Sequence, residues 1–157
     1  MTKYEESGVD VNLGNTVSQI LYNASKITWE NRKNRLGEII ELFSDFSGLR
    51  VINVGNLPQN TMMGMGFDGV GTKIEIAERL EKHHTVAYDL FAMVCDDAVV
   101  RGAEPVLIGS IFDANKLKDK EKNEDYIEFM HQIAKGYIAA ANISRVAVVN
   151  GEVAELG

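Results

Sequence analysis

Apolar residues change period several times along this chain, and the order of those periods limits the folds open to it. Val17, Ile20, Leu21, Ala24 and Ile27 recur at three- and four-residue spacing, which makes one face of a helix beginning near Asn15. Ahead of it, Met1 to Gly14 carries no such stripe and holds Ser7-Gly8 and Asn12 as turn formers, so an extended arm is expected there. Leu36, Ile39, Ile40 and Phe43 predict a second helix, capped by Thr28 and stopped by Gly48. Two strands should follow, Leu49 to Val54 and Met62 to Phe67, with a turn around Gly55, Asn56 and Pro58 between them. Helices are then predicted over Thr72 to Glu81 and Thr85 to Arg101, the latter closed by Gly102. A strand from Val106 to Phe112, a charged loop, a helix from Asp125 to about Ala141 and a strand from Arg145 to Asn150 complete the order. Helices and strands mix without the regular alternation of a doubly wound sheet, which places the chain in the α+β class.

Its 157 residues are enough for one domain with a core of its own, and a composition 45% hydrophobic and 25% charged is that of a globular protein. The net charge of −7, with no cluster of Lys and Arg, argues against a general affinity for nucleic acid or anionic membrane. Lys116 to Asp125 alternates in sign and reads as a solvated loop. Cys95 is the single cysteine and stands among apolar helix residues, so it reads as a buried thiol in a reducing compartment. The first twenty residues carry Glu5, Glu6 and Asp10 and no continuous apolar stretch. Neither a signal peptide nor a membrane span is visible there, and a cytoplasmic location is expected.

Phosphate chemistry has one natural place, Asp68-Gly69-Val70-Gly71-Thr72-Lys73. Glycines let the backbone approach a ligand, the lysine brings a mobile positive charge to phosphate oxygens, and the aspartate can hold the Mg²⁺ that accompanies a nucleotide. The spacing is not that of a Walker loop, and a plain turn before a helix is the competing reading. Just upstream, Met63, Met65 and Phe67 alternate with Met62, Gly64 and Gly66, so one face of that segment has room for another backbone or a ligand. Asp89 and Asp96 are seven residues apart on an otherwise apolar helix, on nearly one face, with Asp97 rotated away from it. Carboxylates in such surroundings need a metal or basic groups as compensation, the alternative being a solvent face. Glu152 and Glu155 form a third acidic site in Gly151 to Gly157, which reads as a site loop leaving a strand. His83 and His84 lie between helices and His131 stands alone, with no metal-ligand spacing, so surface or capping roles are expected. No serine has the context of a nucleophile elbow.

Taken in order, the blocks Tyr4, Ser7-Gly8-Val9-Asp10, Gly14-Asn15, Asp68 to Lys73, His83, Thr85, Asp89-Leu90, Ala92-Met93, Asp97, Gly102 to Pro105 and Gly151-Glu152 with Ala154-Glu155 resemble the amino-terminal domain of the aminoimidazole ribonucleotide synthetase family, also called phosphoribosylformylglycinamidine cyclo-ligases. They run over nearly the whole chain. Asp96 stands where asparagine is frequent in that family, and Val153 where threonine is common.

The resemblance implies an amino-terminal ATP-binding and dimerisation domain over residues 1–157, with a carboxy-terminal domain outside this chain. It implies mostly antiparallel strands that pair across a homodimer into a shared β-barrel. ATP and Mg²⁺ are the implied cofactors: Asp68, Gly69, Gly71, Thr72, Lys73 and Asp89 would contact the nucleotide, with Gly8 and Asp10 covering it. Asp68, Asp89, Asp96 and Glu152 would hold the metal, and no catalytic residue is singled out. The implied reaction is ATP-dependent ring closure of formylglycinamidine ribonucleotide in purine biosynthesis, within a longer or two-part enzyme. A non-catalytic dimeric nucleotide-binding module is the alternative, or a sister ATP-dependent enzyme. The selenophosphate synthetases lack support because no reactive Cys stands near the amino terminus.

Overall fold

The computed structural model describes residues 9–42, 49–55, 57–119 and 124–156. Asp10 starts the first helix, α1 (Val11–Thr28), by accepting a hydrogen bond from the backbone N–H of Leu13 at 3.0 Å. The helix therefore begins four residues before Asn15 and takes in part of the expected arm; residues 1–8 lie outside the described residues. Leu13, Val17, Leu21 and Ala24 face the core, whereas Ile27 is exposed.

The helix expected after Thr28 is not formed. A single 3₁₀ turn, Trp29–Arg32, ends at a reversal in which Asn34 and Gly37 both take positive φ, and β1 (Ile39–Glu41) then pairs antiparallel with β2 (Arg50–Ile52). The spacing of Leu36, Ile39 and Ile40 suits a helix, but the left-handed turn at Gly37 ends one. A Cβ at Gly37 would also lie 2.0 Å from Cγ1 of Val106. Phe43 and Gly48, the rest of that expectation, fall outside the described residues.

Met62 to Phe67 forms no strand in the described chain, because no strand edge reaches it. Met62, Met63, Met65 and Phe67 stand 93%, 80%, 78% and 85% exposed. The expected helices do form, as α2 (Lys73–Leu80) and α3 (Val86–Val99), with Gly102 in a left-handed conformation after the latter.

β3 (Leu107–Ala114) leads through a short hairpin, β4 (Lys118–Asp119) and β5 (Glu124–Asp125), to α4 (Ile127–Ser144) and back to β6 (Ala147–Glu155). β3 and β6 pair in parallel from Leu107 opposite Ala147 to Ala114 opposite Glu155, with a register shift after Ile108. The longest ladder is thus parallel, contrary to the mostly antiparallel expectation, because a helical crossover returns the chain in the same direction. Both short hairpins are antiparallel. Gly151 to Glu155 belongs to β6 rather than to a loop leaving it, and Gly151 admits the close approach of β3: a Cβ there would sit 2.6 Å from the carbonyl oxygen of Ser110.

The core lies between α1, α3, α4 and β6, where Val17, Met130, Ala141, Val146 and Val148 are at most 1% exposed. Side chains at the end of α1 and in the 3₁₀ turn after it stand in for a neighbouring strand along β6. Thr28 Oγ1 accepts from Val148 N–H at 2.9 Å, Trp29 Nε1 donates to the Val148 carbonyl at 2.7 Å, and Asn31 donates to the Val146 carbonyl at 2.9 Å.

At Gly136 the backbone of α4 reaches the link before α3, and a Cβ there would lie 2.2 Å from the carbonyl oxygen of His84 and 3.0 Å from Ala87 Cβ. Gly136→Ala should therefore destabilise the protein by about 1–2 kcal/mol, overpacking outweighing the gain of about 1 kcal/mol in helix propensity. Urea unfolding measures this; a variant as stable as the parent would show that the two segments separate freely.

Candidate nucleotide cleft

Lys73 and Asp89 line one cleft of about 490 Å³ between α2 and the start of α3, together with Ile76, Ala77, Leu80, Lys82, His84, Thr85 and Val86. α2 ends at Glu81 in a left-handed conformation, and the link through His84 turns the chain so that the first turn of α3 faces the first residue of α2. Asp89, in that first turn, is half-buried, as is Lys73. Thr72 and Thr85 sit at the N-caps of α2 and α3 without a side-chain capping bond. One face of the cleft is apolar, and its rim holds two ammonium groups, a hydroxyl, an imidazole and one carboxylate.

The glycine loop leads into this cleft without packing on it. Asp68 is exposed and accepts from the N–H of Gly69 at 2.7 Å. Gly71 has φ +64, the left-handed turn that starts α2, and a Cβ at Gly69 or Gly71 would meet nothing within 4 Å. Space inside this chain is therefore no reason for the absence of a side chain at Gly69.

Other expected site residues lie elsewhere. Asp96 is exposed further along α3, and Glu152 is exposed on β6 opposite Ile111. Asp10 caps α1, and its N–H donates to Glu155 Oε2 at 2.9 Å. Glu155 Oε1 accepts from the Leu117 N–H at 2.7 Å, so this carboxylate ties the start of α1 and the turn after β3 to the end of β6. Gly8 lies outside the described residues. Among the described residues no three His, Cys, Asp or Glu side chains gather as a metal site.

Lys82 and His84 were not singled out as ligand residues from the sequence. They stand in the five-residue link between α2 and α3, whose direction depends on packing against α4. The adjacent His83 is buried rather than superficial: its backbone N–H donates to Gln132 Oε1 at 2.9 Å, and its ring meets Phe129 edge-on at 4.1 Å. Its Nδ1 has no hydrogen-bond partner among the described residues. Burial pushes the His83 imidazole below its ordinary value of 6.5, against the opposing pull of Glu78 and Glu81. The folded protein thus holds this ring neutral. As pH falls through about 6.5 the unfolded chain takes up a proton first, so stability should drop from there down to the folded-state pKa. Urea midpoints between pH 7.5 and about 5 should fall less steeply for His83→Gln; equal slopes would place the loss on other groups. Cys95 is raised by burial first and by Asp96 second, which keeps it a protonated, unreactive thiol.

Residues 50–157 match the sequence family described as AIR synthase related protein, N-terminal domain. The chain belongs to this family. The matched range of this AIR synthase-related domain holds the glycine loop, the cleft and Glu152. It is similar to the phosphoribosylformylglycinamidine cyclo-ligase of Geobacter sulfurreducens, at 33% identity over 98% of this chain and 40% of the relative. The cyclo-ligase of Caldicellulosiruptor saccharolyticus is 29% identical over 99% of this chain and 41% of its own length. The trifunctional purine biosynthetic protein adenosine-3 of Chironomus tentans is 32% identical over 98% of this chain and 10% of its own length. The domain therefore spans about two fifths of the length of the cyclo-ligases it matches. No helix among the described residues is long and apolar enough to cross a membrane.

Proposed function

We propose that this domain binds Mg-ATP for the ring closure of formylglycinamidine ribonucleotide to aminoimidazole ribonucleotide in purine biosynthesis, as part of a longer or two-part cyclo-ligase. The observation that carries this reading is the meeting of Lys73 and Asp89 in one cleft, at the end of the Asp68 to Lys73 loop. Lys73 and Lys82 bring positive charge to phosphate oxygens, and Thr85 offers a hydroxyl donor. The backbone at Gly69 and Gly71 leaves room on that approach, since a Cβ at either would meet nothing within 4 Å, although the Gly69 N–H is held by Asp68 in this state.

Mg²⁺ is commonly held by one or two carboxylates together with phosphate oxygens and water, so a cleft with one half-buried carboxylate fits it. Asp89 would be that residue. Asp68, Asp96 and Glu152 line no part of the cleft and would serve the metal in an assembly that carries them to it. When bound, Mg-ATP would supply the phosphoryl group that makes the formyl amide oxygen a leaving group. The domain's own part is charge neutralisation and positioning.

The proposal includes a homodimer. Met63, Met65 and Phe67 form an apolar row on a segment that pairs with no strand among the described residues, and a second copy offering the same segment would cover it as part of a shared barrel. It also includes a cytoplasmic location and a carboxy-terminal domain, in the same or a separate polypeptide, that completes the ribonucleotide site. ADP release with Mg-ATP and formylglycinamidine ribonucleotide tests it, measured with and without the carboxy-terminal half of a cyclo-ligase. Turnover that needs the added half supports the reading, and a folded dimer that binds ATP yet turns over in neither case would identify a binding module.

A further inference from the structure

Three of the chain's six methionines, Met62, Met63 and Met65, stand within one four-residue stretch. Their exposures of 93%, 80% and 78% contrast with 38% for Met93 and 0% for Met130. The glycines that alternate with them offer no shelter: a Cβ at Gly64 or Gly66 would meet nothing within 4 Å. Three polarizable thioethers are thus left open on a segment that no neighbouring side chain among the described residues shields.

We propose that Met62, Met63 and Met65 form a reversible oxidation site for hydroperoxides, and that their oxidation releases the pairing of this segment with a second copy. The second half rests on the dimer reading given above. In each event a sulfur lone pair attacks the outer peroxide oxygen, the O–O bond breaks and an S–O bond forms. The sulfur is oxidised by two electrons, the peroxide is reduced by two, and the remaining oxygen leaves with a proton as water or an alcohol. Methionine sulfoxide reductases, drawing on a thiol reductant, reverse the step.

The product changes what the segment can bury. A thioether is apolar and flexible, whereas a sulfoxide is polar and carries an oxygen acceptor that must stay hydrated or find a donor. On an extended segment Met63 and Met65 share the face of Phe67, so two sulfoxides would enter the row that pairing covers. Pairing also shields the sulfurs, so oxidation runs through the unpaired chain and quickens on dilution.

The test exposes the intact chain to hydrogen peroxide. Peptide mass mapping should find one added oxygen on each of Met62, Met63 and Met65 several-fold sooner than on Met93 or Met130; comparable rates at all five would overturn the site. Sedimentation should show a dimer before treatment, at least ten-fold weaker association after it, and recovery on incubation with both reductases. The M62L/M63L/M65L variant should dimerise and keep its association through the same treatment. A chain that is monomeric before oxidation defeats the dimer reading and the switch with it, while the order of oxidation still decides the site. A dimer unchanged after full oxidation of the three residues overturns the switch alone.

Discussion

Replacing Arg32 by methionine should cost the fold about 3–5 kcal/mol, mainly because it strips hydrogen bonds from two backbone carbonyls. The guanidinium is only 2% exposed. Its Nε donates to the Leu36 carbonyl at 2.8 Å, with Nη2 also on that oxygen, and Nη1 donates to the Arg145 carbonyl at 3.2 Å and to Glu104 Oε1 at 3.0 Å. One side chain thereby joins the reversal before β1, the C-cap of α4 and the segment before β3. Glu104 is 63% exposed and can return to water when its partner is lost, so the ion pair itself contributes little. The two carbonyls hold fixed places at a turn and at a helix end and lose about 1–3 kcal/mol each. Glu104→Gln should accordingly cost less than about 1 kcal/mol and add little in the Arg32→Met background. Urea midpoints with unchanged slopes measure both. Equal losses for the two single variants would show that the ion pair holds this corner.

Such long-range bonds mark where the fold stops being legible in the sequence. α1, α2 and α3 could be read because apolar residues at three- and four-residue spacing define a buried face locally, and because Gly102 supplies the left-handed residue that follows α3. The strand expected over Leu49 to Val54 forms as β2, but its partner β1 could not be read, since Ile39 and Ile40 fit either period and their state is set by the reversal at Gly37 and by pairing with Ile52 and Val51. Met62 to Phe67 has the alternation of a strand, but a strand exists only against an edge, and none is offered within the described chain. The parallel β3–β6 pair follows from the crossover through α4; the strand–helix–strand order is local in the sequence, whereas the pairing of its two strands is not.

The candidate site divides in the same way. Lys73 and the glycine loop are contiguous and carry their chemistry in the sequence, and Asp89 follows from the resemblance. That Lys82 and His84 share their cleft depends on how α3 seats on α4 at Gly136. Glu155 reads as a candidate ligand, yet both its oxygens are engaged by backbone N–H groups, one of them 145 residues away. No local pattern announces that bond.

Of the carboxylates proposed for the metal, only Asp89 lines the cleft, so the proposed reading gives them unequal roles. On the proposed Mg-ATP reading, Asp89→Asn should lower turnover by about 100-fold or more when the domain is assayed with its carboxy-terminal half, since even groups that only support a metal ligand cost 10–100-fold when changed. The substitution keeps the side chain's shape and removes its charge, so the domain should remain folded and the defect should lie with the metal. Titrating Mg²⁺ at fixed ATP should show a weakened apparent Mg²⁺ affinity for Asp89→Asn, whereas Lys73→Met should weaken ATP binding with less change in the Mg²⁺ dependence, because an ammonium meets phosphate and not the cation. Calorimetry of Mg-ATP binding to this chain gives a readout apart from activity. Asp96→Asn, on an exposed stretch of α3 outside the cleft, should leave that binding nearly unchanged. The reverse pattern, with Asp89→Asn binding normally and Asp96→Asn or Glu152→Gln failing, would move the metal out of the α2–α3 cleft and onto Asp96 of α3 or Glu152 of β6. Failure of all three would instead require closure of the assembly around one cation, with Asp89 as only one of its ligands.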